Sequence, residues 1–198
     1  EAFYIETKAC DIATVKNNVA DAKIRAILSL EGGEPIKKLS DIRELYKLGV
    51  RMIAPTWNYK NKIACGILEK EDTGLSEFGK SVIYEMERLG IICDCSHLSE
   101  KSFWDVVEIS SKPLVASHSN SFFVKNNPRN LTDKQFLAIK NSGGCVGINF
   151  YPPFLGDKIE DAILHIEHFL ALGGEDNIGI GSILPGNQQT GWRRKTCQ

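Results

Sequence analysis

The sequence lacks the features that mark membrane, nucleic-acid-binding and secreted proteins. None of its apolar runs approaches the roughly 20 residues that a membrane helix needs. Its first residues have neither the basic start nor the apolar stretch of a signal peptide. Lys and Arg number 24 against 25 Asp and Glu, so no excess of one charge points to a polyanion. We therefore expect no nucleic-acid partner and no membrane segment.

The six cysteines also lack the spacing of a redox or zinc motif. Cys93 and Cys95 are separated by one residue, whereas those motifs place two residues between their cysteines. Cys93 and Cys145 lie in apolar runs, where a buried free thiol in a reducing compartment is the more common situation. We therefore predict a cytoplasmic protein without a disulfide framework.

What the sequence does contain is an alternation of short apolar runs and amphipathic segments. The runs are continuous rather than alternating, which predicts strands that are buried on both faces. They cover residues 24–30, 50–54, 91–95, 114–117, 145–150 and 178–182.

Helix signals lie between these runs. Amphipathic spacing predicts helices near 75–89 and 159–172. Ser40 and Ser99 are suitable N-caps, and Thr132 begins a capping box with Gln135 three residues later.

Strand–helix alternation predicts an α/β fold with a parallel sheet. An open doubly wound sheet is one option, but no glycine-rich phosphate loop follows any predicted strand. The other option is a TIM-type (β/α)8 barrel, which typically takes about 250 residues. We predict an incomplete barrel of the metal-dependent hydrolase kind, with about six of eight β/α units. It spans residues 1–182, and residues 183–198 form a C-terminal tail that is not part of the barrel, with no apolar periodicity from Asn187 onward.

Three polar residues lie where these strands end, at the carboxyl edge that carries the active site in such folds. Glu31 ends the first predicted strand, His97 follows the third, and His118 ends the fourth. A single strand-end histidine is most often a hydrogen-bonding residue of the rim. Two histidines on neighbouring strands together with a carboxylate favour a metal site, and these ligand types suit Zn²⁺.

For two other polar residues the sequence leaves two roles open. Arg129, in the loop after His118, could clamp a carboxylate through its planar fork, or it could be a surface arginine near a helix start. Asp94 either orients a metal ligand or pairs inside the barrel. His165 and His168 lie three residues apart on an outer helix, where we expect a solvated or half-buried face rather than a metal.

The sequence resembles the renal (membrane) dipeptidase family of binuclear zinc peptidases, particularly its bacterial members. The matches occur in order from about residue 24 to residue 182. They include Leu30-Glu31-Gly32-Gly33, Asp94-Cys95-Ser96-His97, Ser117-His118-Ser119, Pro128-Arg129-Asn130, Val146-Gly147-Ile148-Asn149-Phe150-Tyr151 and Gly179-Ile180-Gly181-Ser182.

This resemblance implies a metal-dependent barrel hydrolase that cleaves dipeptides, including those with a D-residue at the second position. Glu31 would bridge two zinc ions, and His97 and His118 would bind one of them. Arg129 would bind the carboxylate of the substrate, and Tyr151 would line the site. Family members often form homodimers, so a homodimer is one expectation for the parent protein.

Two family motifs are not found. None of the four histidines begins the His-x-Asp pair that the family carries on its first strand, and the zinc-binding Asp expected after Ser182 is replaced by Ile183-Leu184. We therefore expect the chain to retain one metal position, and we assign no catalytic residue in it. We expect this chain alone to be inactive and its full-length parent to be active. The alternatives are a non-catalytic product that binds at most one metal, or another metal-dependent barrel amidohydrolase.

Overall fold

The computed structural model describes residues 3–5 and 24–181. Within this part, eight strands and six helices follow one another along the chain. The strands are β1 (Phe3–Ile5), β2 (Ile24–Ala26), β3 (Leu28–Glu31), β4 (Val50–Ala54), β5 (Ile92–Cys93), β6 (Val115–Ala116), β7 (Cys145–Ile148) and β8 (Ile178–Ile180). The helices are α1 (Leu39–Lys47), α2 (Glu77–Leu89), α3 (Glu100–Ile109), α4 (Asp133–Asn141), α5 (Pro152–Leu155) and α6 (Asp161–Ala171).

The strand ladders are parallel, as the alternation of strands and helices predicts. β1 pairs with β2, β3-β4-β5 form one sheet, and β6-β7-β8 form another. The chain divides into two compact units, Glu1–Val115 and Ala116–Gln198.

The first predicted strand, residues 24–30, is divided at Ile27. Its first part, β2, pairs with β1, which the sequence analysis did not predict, and its second part, β3, pairs with β4. The register between β3 and β4 shifts between Leu28 and Ser29, which marks an irregularity at the start of β3.

The core of the first unit lies between β4 and the helices α1 and α2. Ile53 of β4 is fully buried, as are Ile42 of α1 and Val82 and Met86 of α2. Val82 and Met86 belong to the predicted amphipathic stripe, and this burial confirms the period of 3.6 residues.

Aromatic packing forms the core of the second unit. The rings of Phe136 in α4 and Phe169 in α6 stack with their centroids 4.1 Å apart and are fully buried. Val146 and Ile148 of β7 are fully buried as well.

The helix starts are partly as predicted. Ser99 accepts a hydrogen bond from the backbone N–H of Ser102, and Thr132 forms the predicted capping box with Gln135. Ser40 is not a cap, because α1 begins before it. Asp41 instead accepts backbone hydrogen bonds at 2.8 Å from Lys37 and 3.0 Å from Lys38, and so closes the start of the helix.

Burial on both faces is confirmed for β4 but is wrong for β3 and β8. Leu28 in β3 and Ile180 in β8 are exposed, by 43% and 73%. Both strands lie at the edge of a three-stranded sheet, so each lacks a neighbour on one side among the described residues. The apolar side chains of β3 and β8 are therefore not all buried.

The expected burial of a free thiol is confirmed for Cys93. Cys65, Cys93 and Cys95 are buried, and hydrogen bonding to Cys93 together with burial raises the pKa of Cys95. The prediction is wrong for Cys145, which is exposed as the first residue of β7. Cys10 and Cys197 lie outside the described residues, as do Ser182 and the predicted tail 183–198. Among the described helices, none has the length and apolar character needed to span a membrane.

One buried carboxylate links α1 to α2. Glu85 accepts hydrogen bonds from Arg88, one turn away, and from Arg43 of α1, at 2.7 Å and 2.6 Å. These two guanidinium groups lower the pKa of Glu85 to about 2 from its ordinary value of 4.5, against the opposing effect of burial.

We predict that Glu85→Gln lowers the free energy of unfolding by about 1–2 kcal/mol near pH 7, because charge-assisted hydrogen bonds to half-exposed arginines are partly screened by solvent. The contribution of Glu85 is complete above pH 4.5 and is lost as the pH falls toward 2, so the variant should be less sensitive to acid in that window. Urea unfolding at several pH values measures both effects. Glu77→Gln, in an exposed pair with Lys80 on the same helix, is the control and should change little. An equal loss in both variants would contradict the prediction.

Candidate functional site

Glu31 lies at the carboxyl end of β3, and its position is fixed by the backbone that follows it. The N–H groups of Gly32 and Gly33 donate to the carbonyl oxygens of Ala54 and Pro55, each at 3.2 Å. Gly32 has a φ of +94°, which a side chain would strain. The two glycines therefore continue the β3–β4 ladder past Glu31 and hold this residue at the strand end.

His97 follows β5 through a tight turn that Asp94 closes. The Asp94 carboxylate accepts hydrogen bonds from the backbone N–H and the hydroxyl of Ser96, at 3.0 Å and 2.7 Å. Both Asp94 and Ser96 are buried. Asp94 thus shapes the backbone that leads to His97, and the role predicted for it beside a metal ligand stays a prediction.

The structure brings Glu31 and His97 together. Nε2 of His97 lies 2.8 Å from Oε1 of Glu31, and its Nδ1 lies 2.9 Å from Oδ1 of Asn58. Only 5% of His97 is exposed, whereas Trp57 beside it is half exposed, with the two ring centroids 6.1 Å apart. Asn58 was not among the predicted site residues, although it follows β4 by four residues, as His97 follows β5 by four.

His118 belongs to the second unit and follows β6. It is buried, and its Nδ1 lies 2.7 Å from the hydroxyl of Ser117. The N–H of Ser119 donates to the carbonyl of Gly147 in β7 at 2.8 Å. These contacts place His118 at the carboxyl end of its strand, as the sequence predicts.

A buried pair of amides holds the loop after His118 to the end of β7. Asn120 donates to the carbonyl of Asn149 at 2.8 Å and accepts from its N–H at 2.9 Å. The side chain of Asn149 in turn accepts a hydrogen bond from the N–H of Tyr151. Asn120 was not among the predicted site residues, although it lies only two residues after His118.

Arg129 and Tyr151 meet around one aromatic ring that the sequence analysis did not identify. The guanidinium of Arg129 lies 5.4 Å from the ring centroid of Phe154, and the ring of Tyr151 meets Phe154 edge to face at 5.1 Å. Arg129 is buried and Tyr151 is partly exposed. A cation over an aromatic face keeps its charge while losing much of its freedom of movement.

The helical histidines are structural, and His165 is more buried than expected. His165 is fully buried; its Nδ1 accepts from the N–H of Ser121, and its Nε2–H donates to the carbonyl of Leu155. Burial lowers the pKa of His165 below its ordinary value of 6.5, although the hydrogen bond to Leu155 and the charge of Asp161 oppose this. His168 pairs with Asp133 at 2.8 Å.

Residues 2–192 match the family described as membrane dipeptidase, peptidase family M19. The chain belongs to this family. The family is one of metallopeptidases, which implies a metal cofactor. The resemblance noted from the sequence motifs is thereby confirmed.

Two curated relatives are themselves uncharacterized. A protein encoded in the pqqA 5′ region of Klebsiella pneumoniae is 39% identical over 160 residues, which are 74% of this chain and 59% of that protein. An uncharacterized dipeptidase of Schizosaccharomyces pombe is 34% identical over 189 residues, which are 90% of this chain and 45% of that protein. The chain thus spans about half the length of these relatives.

Among solved structures, the chain is similar to a metallopeptidase from Rhodobacter sphaeroides, crystallised with a phosphinate mimic of the dipeptide L-Ala-D-Ala. The TM-score is 0.81 and the identity 33%, over 91% of this chain and 55% of that one. The family fold is the (β/α)8 barrel of metal-dependent hydrolases, which confirms the fold class predicted from the sequence.

We predict that His165→Leu lowers the free energy of unfolding by at least about 2 kcal/mol at neutral pH. The substitution leaves the N–H of Ser121 and the carbonyl of Leu155 buried without their partner. Because the folded-state pKa is lowered, the stabilisation by His165 is complete above pH 6.5 and is lost as the pH falls from 6.5 toward that lowered value.

Urea midpoints at pH 7.5 and pH 5.5 measure this effect. The wild-type chain should lose more stability between these two pH values than His165→Leu does. His168→Leu, on the same helix, is the control. It keeps His165, so it should lose about as much stability between pH 7.5 and pH 5.5 as the wild type does. Equal pH sensitivity in the wild type and in His165→Leu would show that His165 is not the group responsible.

Proposed function

We propose that the whole protein is a zinc-dependent dipeptidase and that Glu31, His97 and His118 are metal ligands in this chain. The observation that carries this proposal is the 2.8 Å contact between Oε1 of Glu31 and Nε2 of His97 at the strand ends of an M19 family member. His118 is proposed from its equivalent position after the next parallel strand.

The chemistry of these side chains fits a metal ion. Carboxylate oxygen and imidazole nitrogen are the ligands that zinc prefers in hydrolytic sites, and both nitrogens of the buried His97 ring have polar neighbours. A bound metal would polarise the scissile carbonyl and lower the pKa of a water molecule. Asp94 supports the site indirectly, because it holds the turn that carries His97.

We infer that this chain retains the ligand residues of one metal position, because its motifs keep Glu31, His97 and His118. A second ion would need residues beyond the motifs present here. Binuclear peptide hydrolysis uses both ions. The chain alone is therefore expected to bind metal and to turn over dipeptides poorly, if at all.

For the substrate, we propose dipeptides, including those with a D-residue at the second position. The ligand of the similar Rhodobacter sphaeroides metallopeptidase, a mimic of L-Ala-D-Ala, supports this choice. Arg129 would bind the terminal carboxylate, because a buried guanidinium held against Phe154 offers a rigid bidentate donor. Tyr151, packed on the same ring, would line the site.

A second candidate function is hydrolysis of other amides by a metal-dependent barrel enzyme. One observation favours it: a structure described as an amidohydrolase from Pseudomonas aeruginosa is similar to this chain, with a TM-score of 0.81 and 29% identity over 94% of the chain. The two candidates share the metal ligands and differ in the need for Arg129, since a substrate without a free carboxylate does not require the clamp.

We predict about one zinc per chain, with hydrolysis of an Xaa-D-Ala dipeptide only by the full-length parent. Zinc content measured by atomic absorption should fall in His97→Ala and His118→Ala and stay unchanged in the control His168→Ala. In the parent, Arg129→Ala should reduce kcat/KM for dipeptides by about 10²-fold or more, because it removes a charge-assisted bidentate contact of roughly 3 kcal/mol.

Two results would contradict this assignment. Two zincs with turnover in this chain alone would mean that other residues complete the binuclear site. The second candidate function would be supported if the full-length protein binds zinc and cleaves neutral amides but does not hydrolyse dipeptides.

A further inference from the structure

We propose that Asn58 is a positioning residue for the metal site, holding the imidazole of His97 so that Nε2 faces Glu31. This inference rests on the proposed function, since it takes Glu31 and His97 to be metal ligands. The side chain of Asn58 contacts the proposed site through the ring of His97.

The geometry places the His97 ring between two oxygen atoms. Oδ1 of Asn58 lies 2.9 Å from Nδ1, and Oε1 of Glu31 lies 2.8 Å from Nε2. Because the two nitrogens lie on different edges of the ring, these contacts determine which ring nitrogen faces Glu31 and which faces Asn58. The ring of Trp57, tilted by 34° at 6.1 Å, lies beside it.

The chemistry of an amide oxygen suits this position. A histidine that binds a metal through Nε2 must carry its hydrogen on Nδ1, and that hydrogen needs an acceptor inside the protein. The amide oxygen of Asn58 accepts it without adding charge. Partners of this kind typically change metal affinity by about 10- to 100-fold when they are removed.

The backbone holds Asn58 and His97 through a single shared turn. The N–H of Leu68 donates to the carbonyl of Asn58 at 2.8 Å, and the N–H of Ile67 donates to the carbonyl of His97 at 2.9 Å. Adjacent residues of one turn therefore bind both backbones, which fixes the distance between the amide and the ring.

Gly66 makes this close approach possible. A Cβ added at Gly66 would clash with the carbonyl oxygen of Trp57 and with the carbonyl carbon of Asn58. Those contacts are with backbone, which cannot rotate away, so a side chain here would displace the segment that carries Asn58. The glycine is thus explained by the placement of Asn58 beside His97.

The test compares the zinc affinity of Asn58 variants in the 198-residue chain by competition with a chromophoric chelator. Asn58→Leu keeps the approximate size and removes the acceptor, and Asn58→Ala removes the amide without adding bulk. Both should weaken zinc binding by about 10- to 100-fold. Asn58→Asp keeps an oxygen acceptor and should bind zinc as tightly as the wild type or more tightly.

Asn141, the exposed last residue of α4, provides matched controls. Asn141→Leu, Asn141→Ala and Asn141→Asp should all bind zinc as the wild type does. Far-UV circular dichroism and urea midpoints of the metal-free variants show whether each is folded. If Asn58→Leu does not fold, the zinc affinity of Asn58→Ala decides the test.

The outcomes separate this inference from the proposed function. If the wild type binds zinc, His97→Ala abolishes binding, and Asn58→Ala binds as the wild type does, then only the role of Asn58 is overturned. If the wild-type chain binds no zinc, or if His97→Ala binds it unchanged, both proposals fail. The positioning role is supported if zinc binding is weaker in Asn58→Ala and Asn58→Leu and is retained in Asn58→Asp.

Discussion

The contact between Glu31 and His97 depends on hydrogen bonds of the backbone more than on the packing of apolar side chains. Glu31 comes from a strand whose other side chains are largely exposed, yet its position is determined because the next two residues continue the ladder to β4. His97 comes after a strand of only two residues, and its turn is closed by a buried carboxylate. Short, directional hydrogen bonds thus hold Glu31 and His97 in position, which the burial of apolar side chains alone would not do.

The second unit solves a similar problem with buried polar side chains. Its loop after β6 carries His118 and Arg129, and it is held by the reciprocal amide pair of Asn120 and Asn149 and by the ring of His165. Each of these groups replaces a hydrogen bond that the loop backbone would otherwise make with water. Amide and imidazole groups are costly to bury unless they are paired, so these hydrogen bonds favour one conformation of the loop.

The sequence predicts the fold class and the candidate ligands because both depend on local patterns. Continuous apolar runs separated by capped helices indicate parallel strands, and the residues at the strand ends then indicate Glu31, His97 and His118. What fails depends on longer-range pairing. The division of the first strand at Ile27 follows from its two different neighbours, and the exposure of β8 follows from its edge position. The start of α1 differs for a local reason, because Asp41 and not Ser40 accepts the hydrogen bonds of the free N–H groups of Lys37 and Lys38.

The residues that support the site were missed for a related reason. Asn58 and Phe154 contact residues that are 39 and 25 positions away in sequence, and no local pattern indicates such contacts. His165 was named, but its burial was underestimated because its partner Ser121 is 44 residues away. A strand-end criterion that extends four residues beyond each strand would have included Asn58 as well as His97. The reason is physical: a ligand on a loop needs a second loop to hold it, and in parallel α/β folds the loops at the carboxyl edge are neighbours. Candidate ligands found at one strand end should therefore be read together with the polar residues that follow the adjacent strand.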